Sequence, residues 1–523
     1  MTDHSRQLIS SLQNPLLYGH PVSEIEIIET HISWVILTGA YAYKIKKPLD
    51  LGFLDFSTLA KRKYFCQREL ELNKRLAPDY YLNVISVSGS YESPCLNDEG
   101  NGNESRDVIE YMLKMVQFPQ ENQLDRELAA GNLGVYSMYL VAEKIADFHD
   151  KINVAHDRQS FGDLSHVHQP VLNCYAQILT QIKDTSDILR VKKLQDWSSS
   201  AFSVLTNTFI ARKEQGFVRE CHGDLHLRNI AIVESRVIAF DCIEFSDDLR
   251  WNDLMSEVAF LVMDLDDHQQ PVLANAFLNR YLELTGDYAG LAVFRYYLVY
   301  RAIVRAMVSC IRLSQEDIAL EERNREYTGF LKYLDLAETY TVRQKPKLFI
   351  MHGLSGSGKT TVSQIISQTF SVIRVRSDIE RKRLSGLHES QRDFKGVGKG
   401  IYSAESSQQT YRKLYELAGQ LLDANFSVIV DATFLKRSQR KMFQQLAKMH
   451  SVDYVLVHCF AERQIMESRL EKRKKQDVDA SDADLAVLQN QINQDEHFSA
   501  EEKISLVEIN TENDIVAQVL RKL

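Results

Sequence analysis

The stretch His222-Gly-Asp224-Leu-His-Leu-Arg-Asn229 puts a histidine, a carboxylate and a carboxamide between apolar runs. Each residue type has a use in moving a phosphoryl group. A carboxylate such as Asp224 can take the proton of an attacking hydroxyl. The amide oxygen of Asn229 can hold a divalent cation. A second carboxylate, Asp241, ends the apolar run VIAFD and can complete a Mg2+ site with Asn229. His222 would brace the loop by hydrogen bonds. HGD alone is also what a polar helix-capping loop looks like. The full spacing with a strand-terminal aspartate points to phosphoryl transfer.

A second group of chemistry-bearing residues stands in Gly353-Leu-Ser355-Gly356-Ser357-Gly358-Lys359-Thr360, followed by Thr361. It follows the apolar strand pattern KLFIMH and opens a helical pattern, the context that GxxxxGK[ST] requires. The glycines let backbone N–H groups curl around phosphate oxygens at a helix N-terminus. Lys359 would reach the β- and γ-phosphates of ATP or GTP, and Thr360 would ligate Mg2+. Asp378 follows the next strand pattern, with Arg381 one helical turn on. Carboxyl ends of strands in α/β sheets are where sites form. Asp378 is placed to accept an acceptor hydroxyl's proton, or to cap the helix it begins, and Arg381 to orient that acceptor. Asp431 ends the run FSVIVD and is a further metal-ligand candidate. Arg469 and Arg473 lie four apart on a predicted helix, where they would either supply cations to the moving phosphoryl group or form a solvated face.

Those residues need elements to hold them. Between Glu24 and Pro48 the pattern predicts strands, ending in YAYKIKKP, and 57–76 reads as an amphipathic helix. Strands are predicted near 83–91 and 107–117, with the polar loop NDEGNGNES between them. Helical pattern fills 134–213 and 252–340, interrupted by β-rich segments at 217–241. The stretch 341–346 reads as a linker around Pro346. Beyond it, strands at 347–352, 372–376, 426–431 and 452–459 alternate with helices, which implies a parallel sheet covered on both faces. The predicted organisation is therefore 1–340, with lobes at about 20–118 and 119–340, and then 347–523.

HGDLHxxN resembles the aminoglycoside phosphotransferase and choline kinase family, over about 20–335. The resemblance implies a two-lobed, kinase-like α+β fold. In it, a lysine of YAYKIKKP holds the nucleotide phosphates and a glutamate of CQRELELN is its ion-pair partner. Lys44 and Lys46 share a strand face. Lys44 is the expected phosphate ligand and Glu69 the expected partner. The adenine would sit near Met115–Phe118. One departure is plain: the first hairpin turn reads ETHISW, with no glycine-rich loop, and the nearest glycine is Gly39. Residues 347–523 resemble P-loop small kinases of the polynucleotide 5′-kinase, zeta-toxin and gluconate kinase types, an α/β fold with a parallel sheet. Together the halves resemble a bacterial two-domain fusion of predicted kinases.

Composition narrows the class. The chain has 523 residues, enough for two to four domains, and seven scattered cysteines without a CxxC pair, which suits a reducing, cytoplasmic setting. No apolar run is long enough to span a bilayer, and the N-terminus has no signal-like apolar region. The net charge of −9 splits into −14 for 1–340 and +5 for 341–523. A mildly basic second part suits a phosphate-rich ligand. These features support an ATP-dependent phosphotransferase acting on small-molecule hydroxyls. Two alternatives stay open at this stage: a nucleic-acid 5′-end kinase in the second part, and a first part that regulates without catalysing.

Overall fold

A computed structural model of the chain describes residues 3–52, 54–97, 107–156, 158–314, 319–388, 391, 400–476 and 485–523. Two compact units divide it. The first comprises Met1–Leu140, Asp147–Gln169 and Phe209–Asp264; the second comprises Val141–Ala146, Pro170–Thr208 and Leu265–Leu523. The stretch 342–346, after helix Leu320–Thr341, is neither helix nor strand.

The first unit is built on an antiparallel six-stranded sheet. In spatial order its strands are Glu26–Glu29, Ser33–Leu37, Tyr41–Lys46, Val108–Val116, Tyr81–Gly89 and Pro94–Asn97. Alternation fixes the faces. Trp34, Ile36, Tyr43, Ile45, Ile85, Val87 and Met112 fill one core. Lys44 and Lys46 point to the opposite face, and both are buried. Helix Leu59–Asn73 begins at Thr58, whose side chain accepts from the Lys61 amide. The strand predicted near 83–91 is Tyr81–Gly89, and a tight turn joins it to a further strand, Pro94–Asn97; of the loop NDEGNGNES only its first residue, Asn97, is among the described residues. The β-rich segment at 217–241 resolves into Val218–Glu220 and the hairpin Ile230–Val233/Arg236–Ala239, with HGDLHLRN between them. The unit is of the α+β class.

The second unit contains a parallel five-stranded sheet in the order Ile373–Arg376, Val428–Asp431, Lys347–His352, Asp453–Phe460, Leu506–Asn510. Its first four strands match the predicted ones. The fifth, LVEIN, is short and half polar and carries little strand signal. The sheet is buried by apolar residues such as Phe349, Met351, Ile429, Val457 and Ile509. This is the α/β P-loop architecture.

One buried ion pair ties the first unit's helical part to its loop. Arg212 donates from Nε to Asp253 Oδ2 at 2.6 Å and from Nη2 to Oδ1 at 2.8 Å, and its guanidinium lies 4.4 Å from the Phe217 ring centroid. Both side chains are buried. Arg212→Met leaves an uncompensated buried carboxylate and is expected to cost about 3–5 kcal/mol. Replacing both residues by apolar ones, Arg212→Met with Asp253→Leu, is expected to recover most of it. Urea unfolding of both variants checks this.

Candidate active sites

In the first unit a chain of buried charges runs from the central strand to the segment after the hairpin. Lys44 Nζ donates to Glu69 Oε1 at 2.7 Å, and Lys46 Nζ donates to Glu69 Oε2 at 2.7 Å. Lys44 also pairs with Asp241, and Lys46 with Glu244. Glu69 is fully buried, whereas the Asp241 side chain is 48% exposed. Burial pushes the Glu69 carboxyl up, but Lys44 and Lys46 outweigh it and hold it at about 2. Burial alone would lower the Lys44 ammonium; Asp241, Glu69 and Glu244 instead hold it well above the usual lysine range. Asn73, one helical turn beyond Glu69, donates to the Glu69 carbonyl and accepts from the Cys242 amide, so helix and loop are locked together.

The predicted loop residues are tied to one another and to the segment that leads into Asp241. Asn229 donates its amide to Asp224 Oδ2 at 3.1 Å and to the Asp224 carbonyl at 3.0 Å. His226 Nε2 lies 3.2 Å from Asp224 Oδ2. The Phe240 amide donates to the Asn229 carbonyl, so Asp241 starts one residue from Asn229's partner. Asp241 itself has φ 63 and donates its amide to the Tyr81 hydroxyl. His222 accepts the Asp224 amide on Nδ1 and donates from Nε2 to the Phe240 carbonyl at 2.8 Å, which fixes a neutral tautomer. Burial lowers its pKa and keeps it so. The loop's backbone is held from below: the Gly223 amide donates to Glu257 Oε2 at 2.8 Å and the Leu227 amide to Asp264 Oδ2 at 2.9 Å. His149 bonds Glu257 Oε1 at 3.0 Å. The turn that lacks a glycine loop is closed by hydrogen bonds between Thr30 and Ser33, and Lys47 donates to the Thr30 carbonyl.

Sequence reasoning passed over Lys46 as a working residue and missed Glu244, Glu257 and Asn73. The signal for Lys46 was its shared strand face. Glu244 pairs with a residue 198 positions away, which no local pattern announces.

In the second unit, Gly353 (φ 145), Gly356 (φ 81) and Gly358 (φ 85) bend the loop between strand Lys347–His352 and helix Lys359–Phe370. Crowding adds to the backbone requirement. A Cβ on Gly353 would lie 2.4 Å from the Cys459 carbonyl oxygen, and one on Gly356 2.7 Å from that of Met466. Lys359 Nζ donates to the Leu354 carbonyl and so arches back over the loop. Ser357 Oγ is buried and has no hydrogen-bond partner among the described residues. The Ser355 amide donates to the Gln491 carboxamide oxygen. Asp431 accepts from Ser363 Oγ at 2.9 Å, one turn past Thr360 and Thr361. Asp378 lies in the first turn of helix Ser377–Leu384. Arg381 is buried and donates to the Ile401 carbonyl and Ser407 Oγ. Arg469 donates to the Gly356 carbonyl at 3.2 Å and to Thr511. The side chain of Arg473 lies outside the described residues.

Residues 348–496 match the family model described as "AAA domain". Uncharacterized proteins of Mycobacterium tuberculosis and Mycobacterium bovis are 28% identical over 473 residues, covering 88% of this chain and 90% of each relative. Among solved structures, a putative kinase from Chloroflexus aurantiacus aligns over 34% of this chain and 97% of its own, at 20% identity and TM-score 0.28. The amicoumacin kinase hAmiN aligns over 64% of this chain and 94% of its own, at 13% identity and TM-score 0.39. A choline/ethanolamine kinase family protein from Mesorhizobium loti aligns over 64% and 99%, at 12% identity and TM-score 0.37. The chain joins an α+β part to a parallel-sheet α/β part, the latter holding the residues that match the AAA domain model. No helix among the described residues is long and apolar enough to cross a membrane.

The strand carrying the P-loop ends at the buried His352, which faces the half-buried His458 of the neighbouring strand Asp453–Phe460. His352 Nδ1 and His458 Nδ1 are 2.9 Å apart, and His352 Nε2 is 3.1 Å from Asp495 Oδ1. Only one proton fits between the two Nδ1 atoms. Burial, and then His352, lower His458 to about 4, and burial lowers His352. A histidine whose folded pKa is depressed contributes stability that is full above about pH 6.5 and is lost as pH falls toward the folded value. The thermal midpoint of the second unit is therefore expected to drop between pH 7 and 4.5, with a smaller drop in His458→Gln. Calorimetry across that pH range measures it.

Proposed function

We propose that the chain is an ATP-dependent phosphotransferase with two phosphoryl-transfer sites, each passing the γ-phosphoryl group to a hydroxyl of a small molecule. The observation that carries the reading is the P-loop: three glycines at positive φ, two of them with no room for a side chain, ending in Lys359 at a helix N-terminus. A phosphate oxygen in that cradle would satisfy the buried Ser357 hydroxyl. Lys359 would leave the Leu354 carbonyl for the β- and γ-oxygens. Asp378 would take the proton of the attacking hydroxyl as its oxygen bonds to phosphorus and ADP departs. Arg381 holds the start of the following helical segment, and Arg469 would trade its bond to Gly356 for the transferring group.

In the first unit Asp224 would be the base, with Lys44 turning from Asp241 to the nucleotide phosphates while Glu69 keeps its hold. The oxygen donors Asn229 and Asp241 in one site, and Thr360 and Asp431 in the other, fit Mg2+, which prefers carboxylate, carbonyl and hydroxyl oxygen. Bound there, it would neutralise charge on the β- and γ-oxygens. No aromatic-rich basic stretch of the stacking type accompanies the +5 balance of 341–523, which supports small molecules over nucleic acid as acceptors.

Two tests follow. With γ-³²P-labelled ATP and a metabolite extract, Lys359→Ala and Asp224→Ala are each expected to erase a different set of labelled products, and the double variant all of them. Identical product sets from wild type and Lys359→Ala would refute the P-loop assignment. Asp378→Asn is expected to slow transfer at the P-loop site by about 10²–10⁴-fold with ATP affinity within about twofold, because a general base acts on the acceptor and not on the nucleotide. Single-turnover kinetics and titration calorimetry separate the two quantities.

A further inference from the structure

Strand Ile373–Arg376 is the edge of the parallel sheet, paired on one side only with Val428–Asp431. Its other edge is not open to water: Val372, Ile373 and Val375 are all buried. Backbone groups on a buried edge need partners. Helix Pro271–Thr285 supplies them from residues at i, i+4 and i+8: Asn275, Asn279 and Glu283, all buried. The Asn279 carboxamide does what a neighbouring strand would do. Its Oδ1 accepts from the Arg374 amide at 2.6 Å and its Nδ2 donates to the Val372 carbonyl at 3.2 Å. Asn275 Nδ2 reaches the same carbonyl. Glu283 takes the Arg374 side chain, with Nε at 2.9 Å and Nη2 at 2.7 Å.

The clamp continues into the element that carries the acceptor-side residues. The strand passes directly into helix Ser377–Leu384, with Asp378 in its first turn. From the far end of that helix, Arg383 donates to the Glu283 carbonyl, capping the C-terminus of helix Pro271–Thr285. Gly286, at φ 75, leaves room for it: a Cβ there would lie 2.9 Å from Arg383 Nε. The Asp378 helix is thus held at both ends by one helix that precedes the 341–346 stretch.

We propose that Asn279 and Glu283 are positioning residues of the P-loop site: they set where Asp378 stands, so the site's acceptor arm is built partly from residues before 341. This rests on reading the P-loop site as a phosphoryl-transfer site. The test uses the full chain carrying Asp224→Asn, which silences the first site, with MgATP as substrate and water as acceptor. Phosphate release is measured. Glu283→Gln is expected to lower kcat about tenfold or more with KM for ATP within about twofold, and Glu283→Asp to recover part of the loss. Asn279→Leu, which strands the Arg374 amide, is expected to act in the same direction. Arg383→Gln removes one anchor at a half-exposed position and serves if Glu283→Gln does not fold. An unchanged kcat in folded Glu283→Gln or Arg383→Gln overturns the proposal. So does a joint collapse of kcat and ATP affinity that Glu283→Asp does not relieve. If the parent releases no phosphate and Lys359→Ala binds MgATP as tightly as the parent, the P-loop reading itself fails, and the inference with it.

Discussion

Glu69 is a carboxylate with no access to water, and much of the first site follows from how its charge is balanced. An isolated buried carboxylate costs several kcal/mol or simply takes up a proton. Two lysines on one strand face, each offering an ammonium to a different oxygen, prevent both outcomes. The two lysines then need more negative charge than one carboxylate supplies, and Asp241 and Glu244 provide it. Three carboxylates against two ammoniums leave one net negative charge. That surplus has a natural place to reside: Asp241 is the one carboxylate of the set with half its side chain in water. A cation drawn to this set from solvent would meet Asp241 first. Because Lys46 also grips Glu69, a Lys44 that turned to a phosphate would not free the glutamate.

The second site solves a different problem. Phosphate needs converging N–H groups and little else, so the loop is shaped by what it excludes. The positive φ of Gly353 and Gly356 and the closeness of the Cys459 and Met466 carbonyls leave no space for a side chain. Interior strands behind it bury both faces. Burial also pushes the Cys459 thiol up to about 12, which leaves it inert as a nucleophile.

What could be read from the chain alone tracks how local each feature is. Gly353–Thr360, HGDLHLRN and Asp241 are contiguous or separated by one hairpin, so their spacing carries their geometry. Lys44 and Lys46 were legible as a pair because strand periodicity is two. Glu69 was legible only through family resemblance. Glu244, 198 residues from Lys46, was not legible, nor were Glu257 and His149, which brace the loop across 108 residues. The strand Leu506–Asn510 escaped because its pattern is short and half polar; its place in the sheet comes from pairing with Cys459 and its neighbours, not from propensity. Arg381 read as an acceptor ligand from its spacing to Asp378, yet its guanidinium is engaged with Ile401 and Ser407, contacts that no i,i+3 rule contains.

The polar residues of helix Pro271–Thr285 show the same limit from the other side. Asn275, Asn279 and Glu283 at i, i+4 and i+8 form a stripe that would ordinarily mark the water-facing side of an amphipathic helix. Here the stripe is buried and the helix is covered all round, with Leu273, Phe277, Leu278, Tyr281 and Leu282 also hidden. A buried polar stripe is stable only if its partner presents matching groups in matching register. The one kind of surface that offers amide donors and carbonyls at regular spacing is a strand with an unpaired edge. The stripe and the short edge strand Ile373–Arg376 therefore imply each other: neither could stay buried without the other, and the strand so fixed is the one from which Asp378 emerges.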